Sequence, residues 1–127
     1  MQREVELFVA ICFIVVGLSH AIRPAEWVQF FVWLRSGGLS GVLVNGMLSL
    51  TFGALVVAFH NTWSGARSVI TLIGWLQVLK GAISLLAPKL AMRSLERVSM
   101  ERAREFQIAG AVLLALGLLA GWLAWQG

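Results

Sequence analysis

The chain has 127 residues, 59% of them hydrophobic and 13% charged, with a formal net charge of +4. So little polar surface excludes a water-soluble domain and points to a membrane protein. A single cysteine and two histidines exclude a disulfide framework, and with the histidines falling at opposite faces no metal site is expected.

Four segments are long enough to cross a bilayer, which takes about 20 apolar residues: 5–22, 39–59, 68–87 and 106–125. The first is not read as a cleaved leader, because Glu4 and Glu6 spoil the basic start that such a segment needs. Glu6 is assigned to solvation or to an ion pair with Arg3. Cys12, between Ile11 and Phe13, is an apolar filler. Pro24 and Pro88 end the first and third spans, since the residue before proline avoids helical geometry. The stretches "RSGGLSG" (35–41) and "HNTWSG" (60–65) supply turns before the second and third. His60 is taken as a polar turn residue.

Cations set the direction. Arg23, Arg35, Lys89, Arg93, Arg97, Arg102 and Arg104 fall in 23–38 and 88–105, against only Arg3 and Arg67 on the other side. The positive-inside rule then predicts cytoplasmic basic loops and periplasmic termini. Trp27 and Trp33 would mark the inner interface; Trp63, Trp122 and Trp125 would mark the outer one. The segment 89–105 reads as an amphipathic helix between spans three and four, with Leu95 and Val98 on one side and Arg93, Glu96 and Arg97 on the other. Lys89, Arg93 and Arg97 are its expected lipid-headgroup contacts. The fold class is thus all-α, a four-helix transmembrane bundle forming one domain. The basic balance is read as topology and lipid contact, with no nucleic-acid partner.

A displacement of 64 residues superposes Gly17 on Gly81, Pro24 on Pro88, Gly46 on Gly110 and Gly53 on Gly117. The pattern suggests two tandem helical hairpins of common orientation. Small residues at such spacing let helix backbones approach closely, and the Gly117/Gly121 pair serves either packing within the chain or a subunit interface.

One feature of the spans asks for a function. Lys80 lies in the third span, where a cation at mid-bilayer costs about 2.5–3.5 kcal/mol. By helix rise, Asn45 reaches a similar depth, Gln77 flanks Lys80, and His20 stands near the same end of the first span. Lys80, Asn45, Gln77 and His20 form the candidate polar intramembrane site. Acidic residues are absent from the span interiors in this reading, and no nucleophile, phosphate-loop or metal motif occurs. No catalytic activity, cofactor or metal is expected.

"FHNTW" (59–63) followed by "VITLIGWLQVLKGAISLLAP" (69–88) resembles a group of small, uncharacterised bacterial inner-membrane proteins with a His-Asn-x-Trp turn and a Gly-Trp-Leu…Lys-Gly helix. More loosely, the four-span plan is similar to DoxX-like membrane proteins. The resemblance implies a multi-pass bacterial inner-membrane protein and brings no activity with it. The expectation is a non-enzymatic oligomeric or accessory membrane component in contact with lipid, as a homo-oligomer or within a larger complex. Its alternatives are a small transporter-like module around Lys80, and a lipid- or quinone-binding protein.

Overall fold

The computed structural model describes residues 1–126. It contains six α-helices: α1 (Gln2–Ile22), α2 (Pro24–Ser36), α3 (Leu39–Phe59), α4 (Arg67–Leu86), α5 (Pro88–Glu96) and α6 (Ala103–Gln126), with a short 3₁₀ turn (Met100–Arg102) before α6. Four of them (α1, α3, α4 and α6 with its preceding turn) are long and apolar enough to cross a membrane. The chain is an all-α, four-helix bundle of multi-pass type. Ile11, Val15, Met47, Leu48, Leu72, Ile108 and Leu118 are exposed on its outside, the belt that acyl chains cover.

The four spans match the sequence expectation to within a few residues. The segment between the first two does not: 24–36 is a helix rather than a loop. Pro24 starts α2 as Pro88 starts α5, because proline's fixed φ suits the first helical position, where the missing N–H is not needed. The links agree in geometry, with Arg23 at φ −124°, ψ 53° and Ala87 at φ −135°, ψ 65°. The amphipathic segment is shorter than expected, for α5 stops at Glu96 and Ser99 is extended before the chain turns into α6. Gly38, at φ 63°, makes the tight entry into α3 that a residue with a Cβ would resist.

The helices pack as two close pairs, α1 with α6 and α3 with α4. Glycine sets both contacts. A methyl group at Gly81 would lie 2.6 Å from the Leu50 backbone nitrogen, and one at Gly17 would lie 2.7 Å from that of Leu114. Backbones this close gain dispersion and dipole contact, which apolar burial alone does not provide in lipid. Gly117 and Gly121 both turn toward α1, meeting Ile14 and Ala10. The GxxxG pair therefore serves packing within the chain.

The two pairs repeat each other in detail. Around Gly46 stand Ser84, Gly81 and Leu85; around Gly110 stand His20, Gly17 and Ala21, the same set displaced by 64 residues. Gly53 meets Gln77 and Val78, and Gly117 meets Phe13 and Ile14. The Arg23 amide donates to the Ser19 carbonyl, and the Ala87 amide to that of Ile83.

The pairs join mainly at one end. Val5, Val9, Ala10 and Phe13 of α1, Val56 of α3, Ile70 of α4, and Ala120 and Leu123 of α6 form a common core there. At the opposite end α2 and α5 fill between the pairs. Polar groups concentrate at both ends, in different ways.

Candidate functional site

At the α2–α5 end a cavity of about 640 Å³ opens between α3, α4, α5 and the start of α6. Lys80 and Asn45 both line it, joined by Ser84, Ser94, Arg93 and Arg97. The rest of the wall is apolar, from Phe31 and Val42 through Leu76, Leu79 and Ile83 to Leu95 and Phe106. Three cations thus face one space that no carboxylate lines among the described residues. Their mutual repulsion is relieved by an anion or by water, and the volume falls within the roughly 300–1,000 Å³ of ordinary small-molecule sites. Ser84 donates its hydroxyl to the Lys80 carbonyl at 3.0 Å, so its own polar group is satisfied within α4.

Arg35 holds the far wall in place. Its Nη1 lies within hydrogen-bond distance of the carbonyls of Leu95 (3.2 Å), Glu96 (3.4 Å) and Val98 (2.9 Å), at and just beyond the end of α5, where helical donors run out; Leu95 also accepts from the Val98 amide. A cation at this terminus also opposes the negative end of the helix dipole. The sequence reading counted Arg35 only toward topology.

The four expected polar residues do not form one group. Gln77 does not line the cavity, and its backbone faces Gly53 instead. His20 lies in the other helix pair, nearly buried, with Nδ1 2.9 Å from the Val16 carbonyl. Its ring stacks on Trp27 at 4.0 Å between centroids and on Phe106 at 5.9 Å. Depth along a helix was legible; direction around it was not. Of the expected headgroup contacts, Arg93 and Arg97 line the cavity, while Lys89 is exposed outside it.

The ring stack and the cavity are counterparts. Displaced by 64 residues, His20, Trp27 and Phe106 fall on Ser84, Ala91 and Val42, and all three of these line the cavity. Val16, which accepts from His20, falls on Lys80, which accepts from Ser84. Similar backbone geometry carries three large rings in one place and three small side chains in the other.

The second polar group sits at the opposite end and corrects two expectations. Glu6 is neither solvated nor paired with Arg3, since only 1% of it is exposed. Its Oε1 accepts from Arg67 Nε at 2.8 Å and from His60 Nε2 at 3.1 Å. The bundle therefore holds a buried carboxylate after all. His60 is wholly buried rather than a surface turn residue, with Nδ1 3.0 Å from the Thr71 hydroxyl. Arg67 Nη2 reaches the Leu123 carbonyl at 3.0 Å, and Arg3 Nε reaches that of Ala124 at 3.2 Å. Gln2 bonds the Thr62 hydroxyl. These contacts clasp the ends of all four long helices. The available signal was the polar pair Arg67 and Thr71, four residues apart at the start of an apolar span and level with Glu6.

The turn motif has a local purpose as well. The Asn61 amide oxygen accepts from the indole N–H groups of Trp63 (3.1 Å) and Trp75 (3.4 Å), tying the turn to α4. Compared with known proteins, the chain matches no family model, no curated protein and no solved structure.

Proposed function

We propose that this is a non-catalytic membrane protein that holds an anionic amphiphile, a lipid with an acidic headgroup, in the cavity at the α2–α5 end. One observation carries the reading: Lys80, Arg93 and Arg97 face a largely apolar cavity with no carboxylate among its lining residues. An acidic headgroup would neutralise the cations, each worth about 1 kcal/mol toward anionic lipid near a membrane surface. Leu76, Leu79 and Ile83 would receive the first part of its acyl chain.

The wider reading rests on the same features. Positive-inside counting places the cavity at the cytoplasmic face of a bacterial inner membrane and both termini in the periplasm. The displaced pairs of neighbours support an origin in two tandem units, one of which keeps its cavity filled with aromatic rings. Any homo-oligomer or larger complex must use surfaces other than the Gly117/Gly121 face, which α1 covers.

Purification in mild detergent followed by native mass spectrometry tests the reading. The wild type is expected to retain anionic phospholipid in preference to zwitterionic lipid. Lys80→Met should reduce that retention about fivefold, and the Arg93→Gln/Arg97→Gln double variant about thirtyfold, both remaining folded. Equal retention in all three proteins overturns the proposal. A second reading, a transporter-like module, draws on the bundle holding a cavity at one end and being clasped by polar contacts at the other. It requires solute flux in liposomes that Lys80→Met abolishes.

A further inference from the structure

None of Glu6, His60, Arg67 and Thr71 lines the cavity, and the hydrogen bonds of this cluster can be counted proton by proton. Glu6 as a carboxylate only accepts, so His60 Nε2, 3.1 Å away, carries a proton. Thr71 offers one hydroxyl proton and two lone pairs. The Thr62 amide donates to it at 3.0 Å and occupies one lone pair. Three acceptors or partners remain around the hydroxyl: the Thr62 carbonyl at 2.8 Å, His60 Nδ1 at 3.0 Å and the His60 carbonyl at 3.2 Å.

A neutral His60 presents a bare Nδ1. The Thr71 proton must then go there, and the Thr62 carbonyl loses its donor. A second ring proton reverses the direction: Nδ1 donates to the Thr71 lone pair, and the Thr71 proton is freed for Thr62, its nearest acceptor. Only the doubly protonated ring satisfies all three of the shorter Thr71 contacts together. We infer that His60 Nδ1 is a buried binding site for one proton, and that its occupancy turns the Thr71 hydroxyl between the imidazole and the Thr62 carbonyl.

The surroundings allow the added charge. Glu6 of α1 faces the ring directly, with Oε2 buried and without a partner. Arg67 of α4 shares Oε1 from the other side. Arg3 binds the Ala124 carbonyl, and the Met1 amino group pairs with the exposed Glu4; α3 and α6 bring no charged group to the cluster. His60 is followed directly in the chain by the largely exposed turn 61–66. The sign follows. The full set of bonds is present while the ring holds both protons, and it is lost as pH rises through the ring's titration.

Nuclear magnetic resonance of protein carrying ¹⁵N-labelled histidine and threonine in lipid nanodiscs reads this directly, because only His20 and His60 contribute ring signals and Thr62 is one of three threonine amides. The expected result is one His60 step in which Nδ1 loses its proton on alkalinisation and the Thr62 amide shifts with the same midpoint. Thr71→Val should lower the site's proton affinity about tenfold, one unit in midpoint, and Thr71→Ser should restore it. Glu6→Gln should lower it further. The inference fails if His60 keeps a single ring proton throughout, or if the Thr62 amide does not follow the ring. The wild-type and Thr71→Ser readings decide the matter even where Thr71→Val does not fold.

Discussion

The α1–α6 pair and the α3–α4 pair share a backbone arrangement and differ in what fills its polar end. Beside α1 and α6, His20, Trp27 and Phe106 stack into a solid plug. Beside α3 and α4, Ser84, Ala91 and Val42 leave a cavity. Helix packing is thus set by the glycines that both pairs hold in common. Whether the space beside them is open or filled is set by side-chain size at three positions, one of which, Ser84 or His20, also touches a shared glycine. The cations follow the same division, since Lys80 takes the place of Val16 and Arg93 and Arg97 lie on the α5 side alone.

Removing the plug tests that division most strongly. Trp27→Ala deletes a half-buried indole that also donates to the Ser19 hydroxyl at 2.8 Å. Truncating a buried aromatic costs about 3–5 kcal/mol, and this partly exposed one should fall near the lower end in reversible unfolding. A new cavity between α1, α2 and α6 should appear in the variant's structure. Arg35→Ala comes next. It leaves three carbonyls at the end of α5 without their charged donor, a loss of about 1.5–3 kcal/mol measured by thermal unfolding, with weaker anionic-lipid retention because the cavity wall is no longer held. The smallest effect belongs to Arg102→Gln. Its 3.5 Å pair with Glu105 is exposed, so unfolding should shift by less than about 0.5 kcal/mol and the lipid content should not change.

Much of this was legible in the sequence, for identifiable reasons. Spans are written in hydropathy, and a lysine inside one is conspicuous, so the similar depth of Lys80 and Asn45, which line one cavity, could be read. The helix α2 was missed because "PAEWVQFFVWLRS" (24–36) lies between a proline and a glycine turn, where loop signals dominate and aromatic residues hide any periodicity. Gln77 and His20 were placed by depth alone. Which helix pairs with which decides the rest, and that information lies in contacts across the chain. Glu6 illustrates the same limit: its partners, His60 and Arg67, are 54 and 61 residues away, so nothing local announces its burial.

The most direct measurement is the lipid bound per chain when the open cavity receives the rings of its counterpart. Native mass spectrometry of Ser84→His/Ala91→Trp should show a folded protein that has lost the anionic lipid retained by the wild type. Undiminished retention in that folded variant would contradict the assignment of the cavity as the binding site.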